Sequence, residues 1–148
     1  MLVSCKFNNS RIPFAVIGST NRALHGMTVT PKDIDLSVNA SDLERIQAIF
    51  AEHILKKKEQ LSTTTGQPAW HIVAKIQGID VEFVGEHEKG TFRKHVIAGH
   101  FETISVDNNP IPCLTLEAEA NAYEQINRKE KAKEIRTYQE LHSNKHKR

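Results

Sequence analysis

Long apolar runs are missing from this sequence. Nowhere among its 148 residues do about eighteen consecutive apolar positions occur, so no transmembrane helix is expected. Met1 to Ser10 reaches Lys6 after a few mixed residues and has no signal-peptide core, which leads us to expect a cytoplasmic protein. Cysteine is scarce as well: Cys5 and Cys113 stand far apart in unrelated contexts, which excludes a Cys-x-x-Cys redox pair or a zinc ribbon and leaves two ordinary thiols. The eight histidines show no His-x-x-x-His spacing inside a predicted helix; His142 and His146 fall in the tail. The net charge of +2 is too mild to demand a nucleic-acid partner by itself. Neither an internal repeat nor a low-complexity tract is present.

With 39% apolar residues, the chain can bury a real core, and it reads as one domain over 1–148. The core spans about 12–114, C-terminal helices about 115–142, and a basic tail 143–148. Met1 to Pro13 reads as an irregular lead or short strand, with Asn8-Asn9-Ser10 as its turn. Phe14 to Ile17 is a short apolar run typical of a buried strand, and it stops at Gly18-Ser19, where a small residue lets the backbone turn and approach a ligand. A helical turn after a glycine exposes unpaired N–H groups, a natural phosphate site.

On the next predicted strand Asp33 and Asp35 alternate with Ile34, Leu36 and Val38, so both carboxylates leave one face while the apolar set enters the core. Two adjacent acids repel unless a cation sits between them; the pair is a metal site or an exposed strand edge. Ser41-Asp-Leu-Glu44 reads as a capping box, opening an amphipathic helix to about Lys57 on Leu43, Ile46, Phe50, Ile54 and Leu55. Lys56, Lys57 and Lys58 then complement the dipole of its last turn.

Gln60 to Gln67 reads as a polar loop or hairpin arm, and Ala69 to Ile76 with Ile79 to Val84 as a β-hairpin about Gln77-Gly78. On its second arm Asp80 and Glu82 share the face opposite Ile79, Val81 and Phe83. Gly85 to Arg93 is expected as a loop, His95 to Gly99 and Phe101 to Val106 as strands, and Asp107 to Pro110 as a turn before Ile111 to Leu114. Thr115 begins a helix with Glu117 and Glu119 in its first turns, and Asn127 breaks the remaining helical stretch in two. From Arg128 to Arg148 basic residues outnumber acidic ones by five, and the end reads as a frayed, solvated tail.

Gly18-Ser19, thirteen intervening residues, then Asp33-Ile-Asp35 resembles the signature of the nucleotidyltransferase superfamily, the polymerase-beta-like fold. With His25-Gly26 and Thr30-Pro31-Lys32 the run is most similar to small single-domain members and to an abortive-infection toxin branch. Leu116-Glu117, Ala122-Tyr123 and Arg128-Lys129 are similar to that branch's C-terminal helix pair, although Glu130 and Lys131 stand where an Asp usually follows. The resemblance implies an α/β (α+β) fold, a mixed β-sheet flanked by helices with a C-terminal helical segment. It implies a metal-dependent enzyme that moves a nucleoside monophosphate from a nucleoside triphosphate to an acceptor hydroxyl. Two Mg2+ or Mn2+ ions about 3.5–4 Å apart would serve that reaction.

In that reading Asp33 and Asp35 hold the metals with Asp80 as the third carboxylate, Glu82 being the alternate. Gly18 and Ser19 bind the β/γ phosphates, and Lys32 touches a phosphate or offsets Asp33. The acceptor is a small molecule, a protein hydroxyl or a transfer RNA end, with a partner protein or homodimer as possible company and no membrane. Two other classes stand beside this one: a catalytically silent module of the same fold that binds nucleotide or a partner, and an unrelated α/β binding domain whose acids are surface charge.

Overall fold

A computed structural model describes residues 2–63 and 67–146, without the side chains of 2, 4, 5 and 144–146. The Thr-rich turn about Gly66, the thiol of Cys5 and the last two basic residues therefore lie outside the described residues.

Seven strands form one mixed sheet: β1 (Phe14–Ile17), β2 (Asp33–Asn39), β3 (Ile54–Leu61), β4 (Ala69–Ile76), β5 (Ile79–Glu86), β6 (Phe101–Val106) and β7 (Asn109–Leu114). Their order is β3-β4-β5-β2-β1-β7-β6. The central β2 runs antiparallel to β1 and parallel to β5, while β1 runs parallel to β7. Among the described residues six α-helices accompany them: α1 (Leu2–Ser10), α2 (Gly18–Leu24), α3 (Leu43–Ile49), α4 (Arg93–Ile97), α5 (Leu116–Gln125) and α6 (Lys129–His146). The expected mixed sheet with flanking and C-terminal helices is present.

Alternation along the strands divides the core between two faces. Val16, Leu36, Val38, Ile72, Val81 and Phe83 enter one cluster with Leu43 and Ile46 of α3 and Phe7 of α1. Ala15 and Ile17 point the other way, to Val96 of α4 and Ala118 of α5. Outside that layer Leu116, Ala120 and Tyr123 of α5 pack on Ala132 and Ile135 of α6. Thr115 caps α5, its hydroxyl accepting from the Ala118 amide at 3.2 Å, and the break before α6 falls at Asn127 with φ 62°, both as expected. Tyr138 of α6 reaches back across the fold and donates to the His25 carbonyl at 3.1 Å.

Four expectations are corrected. Residues 2–10 form a helix, not an irregular lead or strand: Val3 and Phe7, four apart, both face the core. The helix ends in a Schellman pattern, with Arg11 at φ 57° and the Ile12 amide donating to the Phe7 carbonyl at 2.9 Å. The Phe7 ring then lies within 5.3–5.8 Å of Phe14, Phe50 and Phe83.

The helix expected to about Lys57 stops at Ile49, and it opens from a 3₁₀ turn, Ala40–Asp42, with no side-chain cap at either start. The chain turns after the buried Phe50 so that Ile54–Leu61 can pair with β4 as an edge strand. Lys56, Lys57 and Lys58 are thus exposed charges on a bulged sheet edge, where they discourage further strand pairing, rather than a helix terminus.

Residues 93–97 are a helix where a strand was expected at 95–99. The cap comes from just upstream: β5 runs on to Glu86, whose buried carboxylate accepts the backbone N–H groups of Thr91, Phe92 and Arg93 at 3.0–3.2 Å. Arg93 in turn donates to Asn39 Oδ1 at 2.8 Å and the Ser37 carbonyl at 3.1 Å. Finally, the frayed tail expected from 143 is helical through His146.

Because Phe7 joins α1 to both α3 and the sheet, Phe7→Ala is expected to lower stability by about 3–5 kcal/mol, measured by urea unfolding. A loss under about 1 kcal/mol would mean that α1 is not part of the cooperative core.

Candidate active site

Where β1 ends, the backbone turns at Gly18 with φ 77°, and the reason for a glycine is steric. A Cβ placed there would come 2.7 Å from Asp35 Oδ2, so the turn and the Asp35 carboxylate occupy adjoining space. Thr20 fixes the approach of α2 to β2 by donating to the Asp33 carbonyl at 2.8 Å.

Register decides which acids meet. Ile17 of β1 lies opposite Asp35 of β2, while on the other side Asp33 faces Asp80 and Asp35 faces Glu82 of the parallel β5. Directly opposed residues of a parallel pair share a face, so Asp33, Asp35, Asp80 and Glu82 all stand on the α5 side of the sheet. They are not equivalent. Asp80 sits at the strand start with its side chain about half exposed and Lys75 Nζ 3.9 Å away. Glu82 is further in, and its charge acts on Asp35: burial first, then Glu82 and Asp33, push the Asp35 carboxyl from 3.8 to about 7, with Lys131 pulling it back.

A further carboxylate comes from the helix above. Glu119 of α5 is fully buried and accepts the Gly18 amide at 2.6 Å and Asn21 Nδ2 at 3.3 Å. Arg22 Nε is 3.9 Å from its other oxygen, which has no hydrogen-bond partner. Burial drives its carboxyl up to about 7 against the pull of Gly18, Asn21 and Arg22, and the charge of Asp35 adds to the rise. The Gly18 amide, expected to face a phosphate, is therefore taken by Glu119. Ser19 lies half-buried in the first turn of α2, and Lys32 is exposed just before β2.

Positive charge enters from α2 and α6. The Arg22 guanidinium and the Lys131 ammonium lie 5.8 and 5.6 Å from the Tyr123 ring centre. Lys131 is pushed down by its burial and by Arg128 and Arg22, and drawn up by Glu134 and Glu119. The site is thus an acid cluster on the sheet roofed by cations from α2 and α6, an arrangement suited to a polyphosphate and its counter-ions.

A family model described as aminoglycoside-2″-adenylyltransferase matches residues 1–140. The chain belongs to this nucleotidyltransferase family. Its fold is similar to that of a Thermotoga maritima protein described as a nucleotidyltransferase, at 27% identity and TM-score 0.69, over 92% of this chain and 87% of that one. It is also similar to ANT(2″)-Ia in complex with adenylyl-2″-tobramycin, at 13% identity and TM-score 0.52, over 97% and 94% of the two chains. The solution structure of ANT(2″)-Ia gives 14% identity and TM-score 0.50, over 99% and 94%. At these last two identities the likeness shows the fold alone. No curated protein matches the sequence.

For this nucleotidyltransferase, sequence reasoning located the Gly18 turn and the four strand acids but placed Glu119 only in the first turns of a helix, with no role at the site. The signal was present: Leu116, Glu119, Ala120 and Tyr123 recur at helical spacing, which sets a carboxylate within the apolar stripe of α5. Arg22 and Lys131 gave no comparable signal, because their neighbours come from elements remote in sequence.

Asp35 and Glu119 both have folded values raised above their ordinary ones, 3.8 and 4.5, to about 7. Their contribution to stability is complete below those ordinary values and is lost as pH rises through about 7. The ligand-free protein should therefore melt at a lower temperature at about pH 8 than at about pH 5. Glu119→Gln keeps an acceptor for the Gly18 amide and should flatten part of that slope. A melting temperature that rises over this interval, or an unchanged slope in the variant, would contradict the assignment.

Proposed function

We propose that the protein transfers AMP from ATP to a hydroxyl group of a small, polyhydroxylated acceptor of the aminoglycoside class, assisted by Mg2+ or Mn2+. The observation that carries this reading is the meeting of Asp33, Asp35 and Glu82 on one face beside the Gly18 turn, with Asp35 pushed up to about 7 by burial and by the charges of Glu82 and Asp33. The family match supports adenylyl transfer and the acceptor class.

The donor set fits a hard divalent ion. Among the described residues no three His, Cys, Asp or Glu side chains form a ready-made cage. Magnesium, however, is held by one or two protein carboxylates together with substrate phosphates and water. Asp33 and Asp35 would hold it, with Glu82 rather than Asp80 as the third carboxylate, since Glu82 is the less exposed and its charge acts on Asp35, whereas Asp80 lies half exposed beside Lys75. When bound, the ion supplies charge neutralisation at the phosphates and lowers the cost of ionising the attacking hydroxyl.

The chain's own residues do the rest. Ser19, through its amide and hydroxyl, holds the β/γ phosphates, and Gly18 keeps the backbone close because no side chain intervenes. Lys131 in the first turn of α6, Arg128 just before that helix and Lys32 before β2 offset the charge of the departing pyrophosphate. The acceptor oxygen forms a bond to the α-phosphorus as the bond to the bridging oxygen breaks, and its proton passes to Glu82. No helix among the described residues is long and apolar enough to cross a membrane, and nothing in this scheme needs one.

With α-labelled ATP, Mg2+ and an acceptor panel, label should move to an aminoglycoside, detected by chromatography and mass spectrometry. Asp35→Asn should lower the rate by about 10²-fold or more. Label appearing instead on protein or on transfer RNA ends would replace the acceptor class. Binding of ATP that is indifferent to Mg2+ and to Asp35→Asn would overturn the enzyme reading in favour of a silent module.

A further inference from the structure

Beyond the acids beside Gly18, the polar face of the sheet carries a line of titratable groups across four adjacent strands: Glu59 on β3, His71 on β4, Glu82 on β5 and Asp35 on β2. Glu59 is the register partner of His71, and Glu82 that of Asp35. His71 and Glu82 lie diagonally, since His71 pairs with Val84 and Val73 with Glu82. The His71 side chain is only 10% exposed. Its Nε2 is 2.6 Å from Glu59 Oε1, and its Nδ1 lies 3.4 Å from Glu82 Oε1.

That Nδ1 is buried and has no hydrogen-bond partner, an arrangement that carries a cost if it serves nothing. An aromatic or aliphatic residue would fill the same half of the sheet without that cost. The ring is instead anchored at one nitrogen by an exposed carboxylate and aimed at Glu82 with the other.

We propose that His71 is a positioning residue for Glu82. Anchored by Glu59, the ring restrains the Oε1 edge of the Glu82 carboxylate and leaves the other oxygen to the cation site that Glu82 shares with Asp35. The inference rests on the reading of Glu82 as the third carboxylate. Outer-shell partners of this kind orient a ligand without touching the ion, and their loss typically lowers metal affinity or activity by about 10–100-fold. Glu59 extends the restraint to the sheet edge, two side chains away from any ion.

The test measures Mn2+ affinity of the whole protein by the electron paramagnetic resonance signal of free Mn2+, with the ATP KM and kcat beside it. Glu82→Gln should weaken Mn2+ binding most. His71→Gln should weaken it by about tenfold and lower kcat at subsaturating metal with little change in the ATP KM. Glu59→Gln should produce a smaller shift of the same sign. The double variant His71→Gln/Glu82→Gln should be no weaker than Glu82→Gln alone, since both act through one carboxylate.

Mn2+ binding within about twofold of wild type in both His71→Gln and Glu59→Gln, with Glu82→Gln weakened, would overturn this inference and leave the function reading intact. Wild-type affinity in Glu82→Gln would overturn the role of Glu82 and this inference with it, as would a wild-type protein that binds no Mn2+. If His71→Gln fails to fold, Glu59→Gln decides, because its exposed side chain contributes nothing to the core.

Discussion

Two carboxylates press on one glycine turn from different sides. Asp35 lies where a Gly18 side chain would be, and Glu119 takes the Gly18 amide. Both are held above the usual carboxylate range chiefly by burial, and the charge of Asp35 adds to the rise at Glu119. Folding brings them together because the sheet, α2 and α5 all need the same few ångströms for their own packing. Ala15 and Ile17 must meet Ala118, and the helix that provides Ala118 provides Glu119 one residue later. The electrostatic tension is a by-product of a packing requirement, and it makes this corner of the molecule receptive to cations.

Topology then decides what that corner can recognise. A parallel pairing between β2 and β5 places residues of equal rank side by side without offset, so two Asp/Glu-bearing strands present their acids as facing pairs. The antiparallel hairpin from β4 to β5 carries His71 to the same face, and the edge strand β3 adds Glu59. Opposite this polar surface stands the aromatic and aliphatic cluster about Phe7, Phe50 and Phe83. The sheet thus separates a rigid apolar half from a half where charge is held in place by geometry.

Much of this was readable from local pattern. Phe14 to Ile17, the alternation of Asp33-Ile-Asp35-Leu, the Gln77-Gly78 hairpin, the Thr115 cap and the break at Asn127 are each decided within a few residues, and each is present. What was not readable depends on partners far along the chain. Asn8-Asn9-Ser10 favours a turn, yet Val3 and Phe7 find a core and hold a helix. The lysine run suits a helix end equally well as a strand edge, and pairing with β4 chose the latter. Residues 93–97 turn helical with Arg93 held by Asn39 and Ser37, 54 and 56 residues away, while Glu86 caps them from the nearby end of β5. Among the acids, the register sets Asp80 beside Asp33 and Glu82 beside Asp35, a pairing that no local pattern contains.

The contact from Tyr138 to the His25 carbonyl extends this dependence to the C-terminal helix. A Cβ on Gly26 would come 2.7 Å from the Tyr138 hydroxyl, so the connection leading to Asp33 is moulded directly against α6. The last helix is therefore a buttress behind the site as well as a source of charge above it. Partial unwinding of α6 would release the connection and the Asp33 strand end together, making the loop and the helix one cooperative unit of local opening.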